Sequence, residues 1–234
     1  MTTTTAPPVR RERASRPRWW RRPWVAPLAV VAIAFVAFSL PPYVSLDPAQ
    51  SRVPPPYPWY YAVLSVHVVL GSIAMLACCL QVWPWFRQRH RRAHRVVGRV
   101  YVLIQLPAGV LALVLAWVTP FGPVAMASSL LMAPLWMACT ITGWRMARQR
   151  RFAEHRRWMV RSFALTMSII TNRIWGVVAM VLLAPSTPAG GEQQLMQTVA
   201  GLSTWLGWTI PLLVAEWWLQ RGDVARDRAR VRAR

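Results

Sequence analysis

Six apolar stretches of 17 to 27 residues alternate along the chain with short polar segments, and they occupy residues 24–40, 59–83, 96–118, 121–144, 158–184 and 199–219. A helix needs about 20 apolar residues to cross a bilayer, and a backbone inside hydrocarbon must satisfy its amide groups within one segment. The pattern therefore predicts an all-α, polytopic membrane protein, a bundle of six transmembrane helices.

The first stretch is the weakest prediction, because its 17 residues rise only ~26 Å as a helix. Arginines precede it, and Ala37-Phe38-Ser39 resembles a signal-peptide cleavage site. An uncleaved anchor is favoured over a signal peptide, because the apolar run is longer than a signal core and Pro41-Pro42 follows it directly.

Composition supports a membrane protein over a soluble one. Charged residues make up 15% of the chain and hydrophobic residues 55%, whereas soluble domains carry about 25% charged residues. The 28 basic residues, all of them arginine, outnumber 7 acidic ones and give a net charge of +21. Since these arginines lie between apolar stretches, they indicate the lipid bilayer and anionic lipid head groups as partners, and no nucleic acid.

The arginines also predict the orientation. Twenty-six of them fall in residues 1–23, 87–99, 145–161 and 221–234, and the alternate connections hold only Arg52. Positive charge accumulates on the cytoplasmic side of membrane proteins, so both termini are expected to be cytoplasmic. Residues 1–23 are predicted to be a disordered tail, 24–219 the membrane domain, and 220–234 a second arginine-rich tail that either extends the last helix or is solvated.

Two polar residues lie deep inside the predicted spans. His67 is ~24 Å and Arg173 ~23 Å from the cytoplasmic ends of their helices, so the two share one depth. Ionisable groups at such a depth are costly and commonly mark a functional interior. One interpretation is a buried polar cluster of His67, Arg173 and Asn172. The other is that Arg173 extends towards the interface while His67 makes a structural hydrogen bond.

A second group lies near the cytoplasmic ends of the helices. His94 and His155 are expected at one level, with Glu216, Arg99 and Arg161 close to the same plane. Two histidines on different helices can bind haem b, and the arginines can hold a haem propionate, a quinone or a phosphate. His67 is too far away to share an iron with either histidine. The alternative is that His94 and His155 cap helix starts at the rim. No separate metal site is predicted.

Three motifs carry a family resemblance. They are His67-x-x-x-Gly71 followed by Gln81, His94-Arg95-x-x-Gly98-Arg99-x-Tyr101, and His155-x-x-Trp158-Met159-x-Arg161-Ser162 followed by Arg173. Together they resemble a family of predicted bacterial membrane proteins that carries a domain of unknown function (family 2306). The resemblance implies a bacterial cytoplasmic membrane location. It also selects His67, His94, His155, Arg161 and Arg173 for testing.

The predicted function is that of an integral membrane protein with a polar His/Arg interior, linked through haem or quinone to redox chemistry. Its alternatives are a membrane protein that handles a small solute or lipid, and a non-catalytic membrane interaction protein. Enzymatic activity and oligomeric state are left open by the sequence.

Overall fold

The computed structural model describes residues 24–232, with side chains described to residue 222, and this part of the chain is helical without strands. Its helices are α1 (Val25–Ser39), α2 (Pro41–Val44), α3 (Tyr60–Val82), α4 (Pro84–Arg89), α5 (Arg91–Trp117), α6 (Gly122–Arg148), α7 (Phe152–Leu183) and α8 (Glu192–Arg232). Short 3₁₀ turns occur at Pro48–Gln50 and Ala184–Ser186. The predicted 1–23 tail lies outside the described residues.

Five helices are long and apolar enough to cross a membrane, namely α3, α5, α6, α7 and α8. They coincide with five of the six predicted stretches, which confirms the all-α membrane architecture in its coarse form. The first stretch forms α1, a shorter apolar helix of 15 residues. Leu40 joins α1 to α2 in a right-handed helical conformation, and its amide donates to the Val36 carbonyl at 2.9 Å.

The long helices extend beyond the apolar stretches at their arginine-rich ends. Helix α5 begins at Arg91, five residues before the apolar stretch at 96–118, and α7 begins at Phe152, six residues before the stretch at 158–184. The backbone of α8 likewise continues through Arg232. Arginine is a good helix former, so a helix continues in water after its apolar part has ended. Hydropathy marks where a helix meets lipid, and this boundary differs from the helix end.

The helices pack as a bundle around two buried clusters. Helix α7 packs most extensively against α8, α6 contacts α5, α7 and α8, and α5 packs against α3, with α1 at the edge against α3. One cluster joins α1, α3 and α5 around Ala32, Met75 and Tyr101. The other cluster joins the four helices α5, α6, α7 and α8 and includes Trp136 and Trp208. Large apolar side chains cover the outer surface, as lipid contact requires.

Helices α7 and α8 approach closely at Gly207. A Cβ atom added at Gly207 would lie 2.8 Å from the Asn172 Cβ and 2.9 Å from its Cα. Pro211 removes the amide that would bond the Gly207 carbonyl in a regular helix. The hydroxyl of Thr171 donates to that carbonyl instead, at 2.5 Å. Small residues at helix crossings and hydroxyl–carbonyl bonds between helices are typical of membrane bundles.

The substitution Gly207→Ala should destabilise the bundle, because its methyl group would meet backbone atoms of α7 that cannot move aside. We expect a loss of about 1–3 kcal/mol in the free energy of unfolding, measured by denaturant titration in detergent. Gly71→Ala is the matched control, since a Cβ atom there meets nothing within 4 Å. Equal stability of the two variants would contradict the close contact between α7 and α8.

Candidate functional site

A buried hydrogen-bond network joins α5, α6 and α7, and we call it the Tyr101 network. Its members are Tyr101, Trp136, Thr140, Ser162 and Thr166. The Tyr101 hydroxyl lies 2.6 Å from the Ser162 hydroxyl and 2.8 Å from that of Thr166. Thr140 lies 2.7 Å from Ser162, and the Trp136 indole donates to Thr166 at 2.9 Å. All five side chains are buried.

Helical spacing brings these groups to one place. Trp136 and Thr140 are four residues apart on α6, and Ser162 and Thr166 are four apart on α7, so each pair lies on one face of its helix. Thr140 donates to the Trp136 carbonyl at 3.0 Å, so Ser162 is the donor in its bond to Thr140, and Tyr101 donates to Ser162 or to Thr166. Thr166 donates in turn to the Ser162 carbonyl at 2.8 Å. The network is therefore complete within the protein.

An ion pair between Arg161 and Glu216 lies nearer the arginine-rich end of the bundle. The guanidinium and the carboxylate meet through two parallel bonds, from Nε to Oε1 and, at 2.9 Å, from Nη2 to Oε2. The side chains are 17% and 30% exposed, so the pair is partly shielded from solvent. The Arg161 guanidinium also lies over the Trp158 ring, 4.6 Å from its centroid. This two-point geometry joins α7 to α8.

His94 lies in the first turn of α5 and His155 in the first turn of α7. His155 donates from Nδ1 to the Gly143 carbonyl of α6 at 2.8 Å, which assigns a proton to Nδ1. The backbone carbonyl of His94 accepts a hydrogen bond from the Gln81 side chain at 2.9 Å. The Nδ1 atom of the His94 imidazole is buried without a partner among the described residues. Neither imidazole caps its own helix, because α5 and α7 begin without side-chain caps.

No observation on the described residues supports a haem or quinone site at this level. Two depressions of about 460 and 510 Å³ lie at residues 88–93 and between the first turns of α6 and α8, and neither is lined by His94 or His155. No group of three or more metal-ligating side chains occurs in the described part of the chain. Glu216 already neutralises Arg161, one of the two arginines expected to hold an acidic group. The haem and quinone interpretation is therefore not supported.

Two of the predicted arginines lie apart from these groups. Arg99 is exposed on α5 and takes no part in the Arg161–Glu216 pair. Arg173 is exposed on α7, whereas His67 donates from Nδ1 to the Ala108 carbonyl of α5 at 3.0 Å. Asn172 lies against Gly207 of α8. The structure therefore does not bring His67, Arg173 and Asn172 together.

The crossing of the helices explains why Arg173 lies outside. Ser162 and Thr166 face α5 and α6, and Arg173 continues their helical stripe. Further along α7 the contacts turn towards α8, where Gly176 lies opposite Ser203 and Ala179 is buried. A straight stripe drawn from helical periodicity therefore leaves the interior before Arg173.

The sequence interpretation missed most of the buried polar residues. Thr140 and Gln105 have no predicted role, and Tyr101 enters only as part of a motif. A usable signal was present, since Gln105 follows Tyr101 by four residues on one face of α5. The partners of Tyr101 could not be identified from spacing, because they lie on two other helices.

The family described as predicted membrane protein, DUF2306, matches residues 64–219, which is 156 of the 234 residues. The matched region begins within α3 and ends within α8. It contains the Tyr101 network, His94, His155 and the Arg161–Glu216 pair. No curated protein and no solved structure matches the chain.

The Arg161–Glu216 pair should behave as one unit in a double-mutant cycle. Each of Arg161→Gln and Glu216→Gln leaves a partly shielded charge unpaired. Each single substitution should therefore lower stability more than expected from the double variant, in which both side chains are neutral. We expect a coupling energy of about 1–2 kcal/mol between the two substitutions, measured by unfolding in detergent. The exposed Arg151–Glu154 pair, at 2.5 Å, is the control and should show weaker coupling. Strict additivity at Arg161 and Glu216 would refute the pairing.

Proposed function

The chain belongs to the DUF2306 family of predicted membrane proteins, and we propose that it is a six-span protein of the bacterial cytoplasmic membrane that binds anionic phospholipid head groups at its arginine-rich end. The proposed binding surface is an arginine–tryptophan collar. Its four pairs are Arg148 with Trp144, Arg156 with Trp218, Arg161 with Trp158, and Arg221 with Trp217.

The observation that carries the proposal is the stacking of these four guanidinium groups on indole rings at one end of the bundle. The distances from the guanidinium carbon to the ring centroid are 5.7, 5.0, 4.6 and 4.3 Å in the order given. The pairs come from the end of α6, the start of α7 and the apolar end of α8. Because these helices alternate in direction, all four pairs lie at the same level.

This arrangement suits a phospholipid head group. Tryptophan rings prefer the membrane–water interface, and Trp144, Trp217 and Trp218 are 43 to 55% exposed. A guanidinium stacked on such a ring is held at the depth of the lipid phosphates, to which it can donate two hydrogen bonds. Each arginine near an anionic leaflet adds roughly 1 kcal/mol of attraction. Since Arg161 is already paired with Glu216, we assign lipid binding to Arg148 and Arg221.

The helix arrangement supports six spans. Residues 25–44, which include α1, Leu40 and α2, form 20 helical residues interrupted by prolines, and 20 residues rise ~30 Å. Buried Ala32 packs this segment against the α3 cluster. With α1 as a span, every arginine-rich segment falls on one side of the membrane. We therefore place both termini in the cytoplasm.

Lipid selectivity tests the collar. Native mass spectrometry should show wild-type protein binding phosphatidylglycerol in preference to phosphatidylcholine, and raised salt should weaken this preference. The double variant Arg148→Gln, Arg221→Gln should bind phosphatidylglycerol about 10- to 100-fold more weakly, since two attractions of roughly 1 kcal/mol are lost.

Arg52→Gln is the matched control for the collar. Arg52 also lies over an aromatic ring, 3.8 Å from the Phe38 centroid, but at the opposite end of the bundle. Its loss should leave the selectivity unchanged. Equal binding of the two lipids by wild-type protein would refute the proposal.

Cysteine labelling tests the topology. In a variant whose three native cysteines are replaced by alanine, single cysteines are placed at Thr2, Gln50 and Gln149. A membrane-impermeant maleimide should label only Gln50→Cys on intact cells and all three positions after permeabilisation. Labelling Thr2→Cys and Gln50→Cys on the same side would show that α1 does not cross the membrane.

A further inference from the structure

One face of α5 carries polar side chains through the middle of the bundle. His94, Tyr101 and Gln105 follow one another at intervals of seven and four residues, and Ala108, whose carbonyl bonds His67, follows three residues later. Such intervals place all four positions on one stripe of a helix. Tyr101 has its partners in the Tyr101 network, whereas Gln105 does not.

The carboxamide of Gln105 is fully buried and unpartnered. The side chain is 0% exposed, and neither Nε2 nor Oε1 has a hydrogen-bond partner among the described residues. Gln105 lies ~21 Å from the start of α5, near the middle of the span. Its side chain is too short to reach either interface. A donor and an acceptor left unpaired in hydrocarbon are strongly unfavourable, so a partner for them is required.

The surroundings of Gln105 hold further polar atoms on both sides along α5. The Tyr101 hydroxyl network lies one turn towards the arginine-rich end, and the His67–Ala108 bond lies one turn towards the other end. The Gln105 Nε2 atom faces Gly109, where an added Cβ atom would lie 3.7 Å from it. The same Cβ atom would lie 2.6 Å from the Met137 Cγ atom, which shows how closely α6 covers this point.

We propose that Gln105 anchors an internal water site between the Tyr101 network and His67. A water molecule both donates and accepts, as the carboxamide requires, and a buried water needs two to four polar partners. The close packing of Met137 beside Gly109 and Gln105 favours a ligand of water size over a larger one. The site is independent of the lipid collar.

The water site changes the composition of the polar interior. His67, Gln105 and the Tyr101 network form a hydrogen-bonded file through the middle of the bilayer once water connects them. This file takes the place of the cluster of His67 with Arg173 expected from the sequence. Its ~10 Å length along α5, from Tyr101 to Ala108, brings hydration into a region that lipid-facing helices exclude from water.

Water-edited solid-state NMR of the wild-type protein in lipid, labelled with ¹⁵N in its glutamine side chains, tests the site directly. We expect magnetisation transfer from water to the Gln105 amide, identified among nine glutamines by its loss in Gln105→Leu. Gln105→Asn provides the identification if the leucine variant does not accumulate. Ser128→Ala, which removes a buried hydroxyl bonded to Trp208, is the control and should leave the Gln105 signal unchanged.

The melting temperature of Gln105→Leu gives a second reading with a definite sign. If a water molecule bonds the carboxamide, removal of the carboxamide in Gln105→Leu should lower the melting temperature by about 2–4 °C. If the carboxamide is unsatisfied, an apolar side chain of similar shape should raise it. The absence of water transfer in the wild type, or a raised melting temperature in Gln105→Leu, would overturn the proposal.

Discussion

Polar groups inside a bilayer have to find partners within the protein, and this constraint determines how the helices of this chain meet. The Tyr101 network joins α5, α6 and α7 through hydroxyl groups that saturate one another. Thr171 supplies the Gly207 carbonyl with the donor that Pro211 takes away. Trp208 donates to Ser128 at 3.0 Å and so joins α8 to α6. Because lipid competes for none of these bonds, each favours one helix arrangement over its neighbours.

The two ends of the bundle are under a different constraint, since both are in contact with water. The arginine-rich end carries an excess of positive charge that the ion pairs of Arg161 with Glu216 and of Arg151 with Glu154 offset locally. The guanidinium groups of Arg148, Arg156 and Arg221 lie over indole rings at this end. At the opposite end the Tyr61 hydroxyl donates to the Pro42 carbonyl at 2.8 Å, and Arg52 donates to the Phe38 carbonyl at 2.7 Å. At that end the segments are held together mainly by hydrogen bonds to backbone carbonyls, which is consistent with a surface of low charge.

The polar residues of the interior differ in whether their hydrogen-bonding groups have partners within the protein. His155 and the Tyr101 network have partners within the protein, and this favours a structural role for them. Gln105 and the Nδ1 atom of His94 are the exceptions, because they are buried and unpartnered among the described residues. An unpartnered polar group inside a membrane protein has a free-energy cost, so it is a stronger indication of a bound small molecule than the presence of a histidine is.

The sequence by itself determined where the apolar helices lie, since hydropathy is a local property and about 20 successive residues are enough to express it. It also placed Arg161, Glu216, His94 and His155 near one level, because helical rise converts residue number into depth. Only the tertiary structure decided which side chains touch. Arg161 meets Glu216 across 55 residues, and Tyr101 meets Ser162 across 61. Arg173 shares the depth of His67 and yet faces outward. Depth follows from distance along one helix, whereas contact depends on how helices cross and rotate against one another, which no single segment specifies.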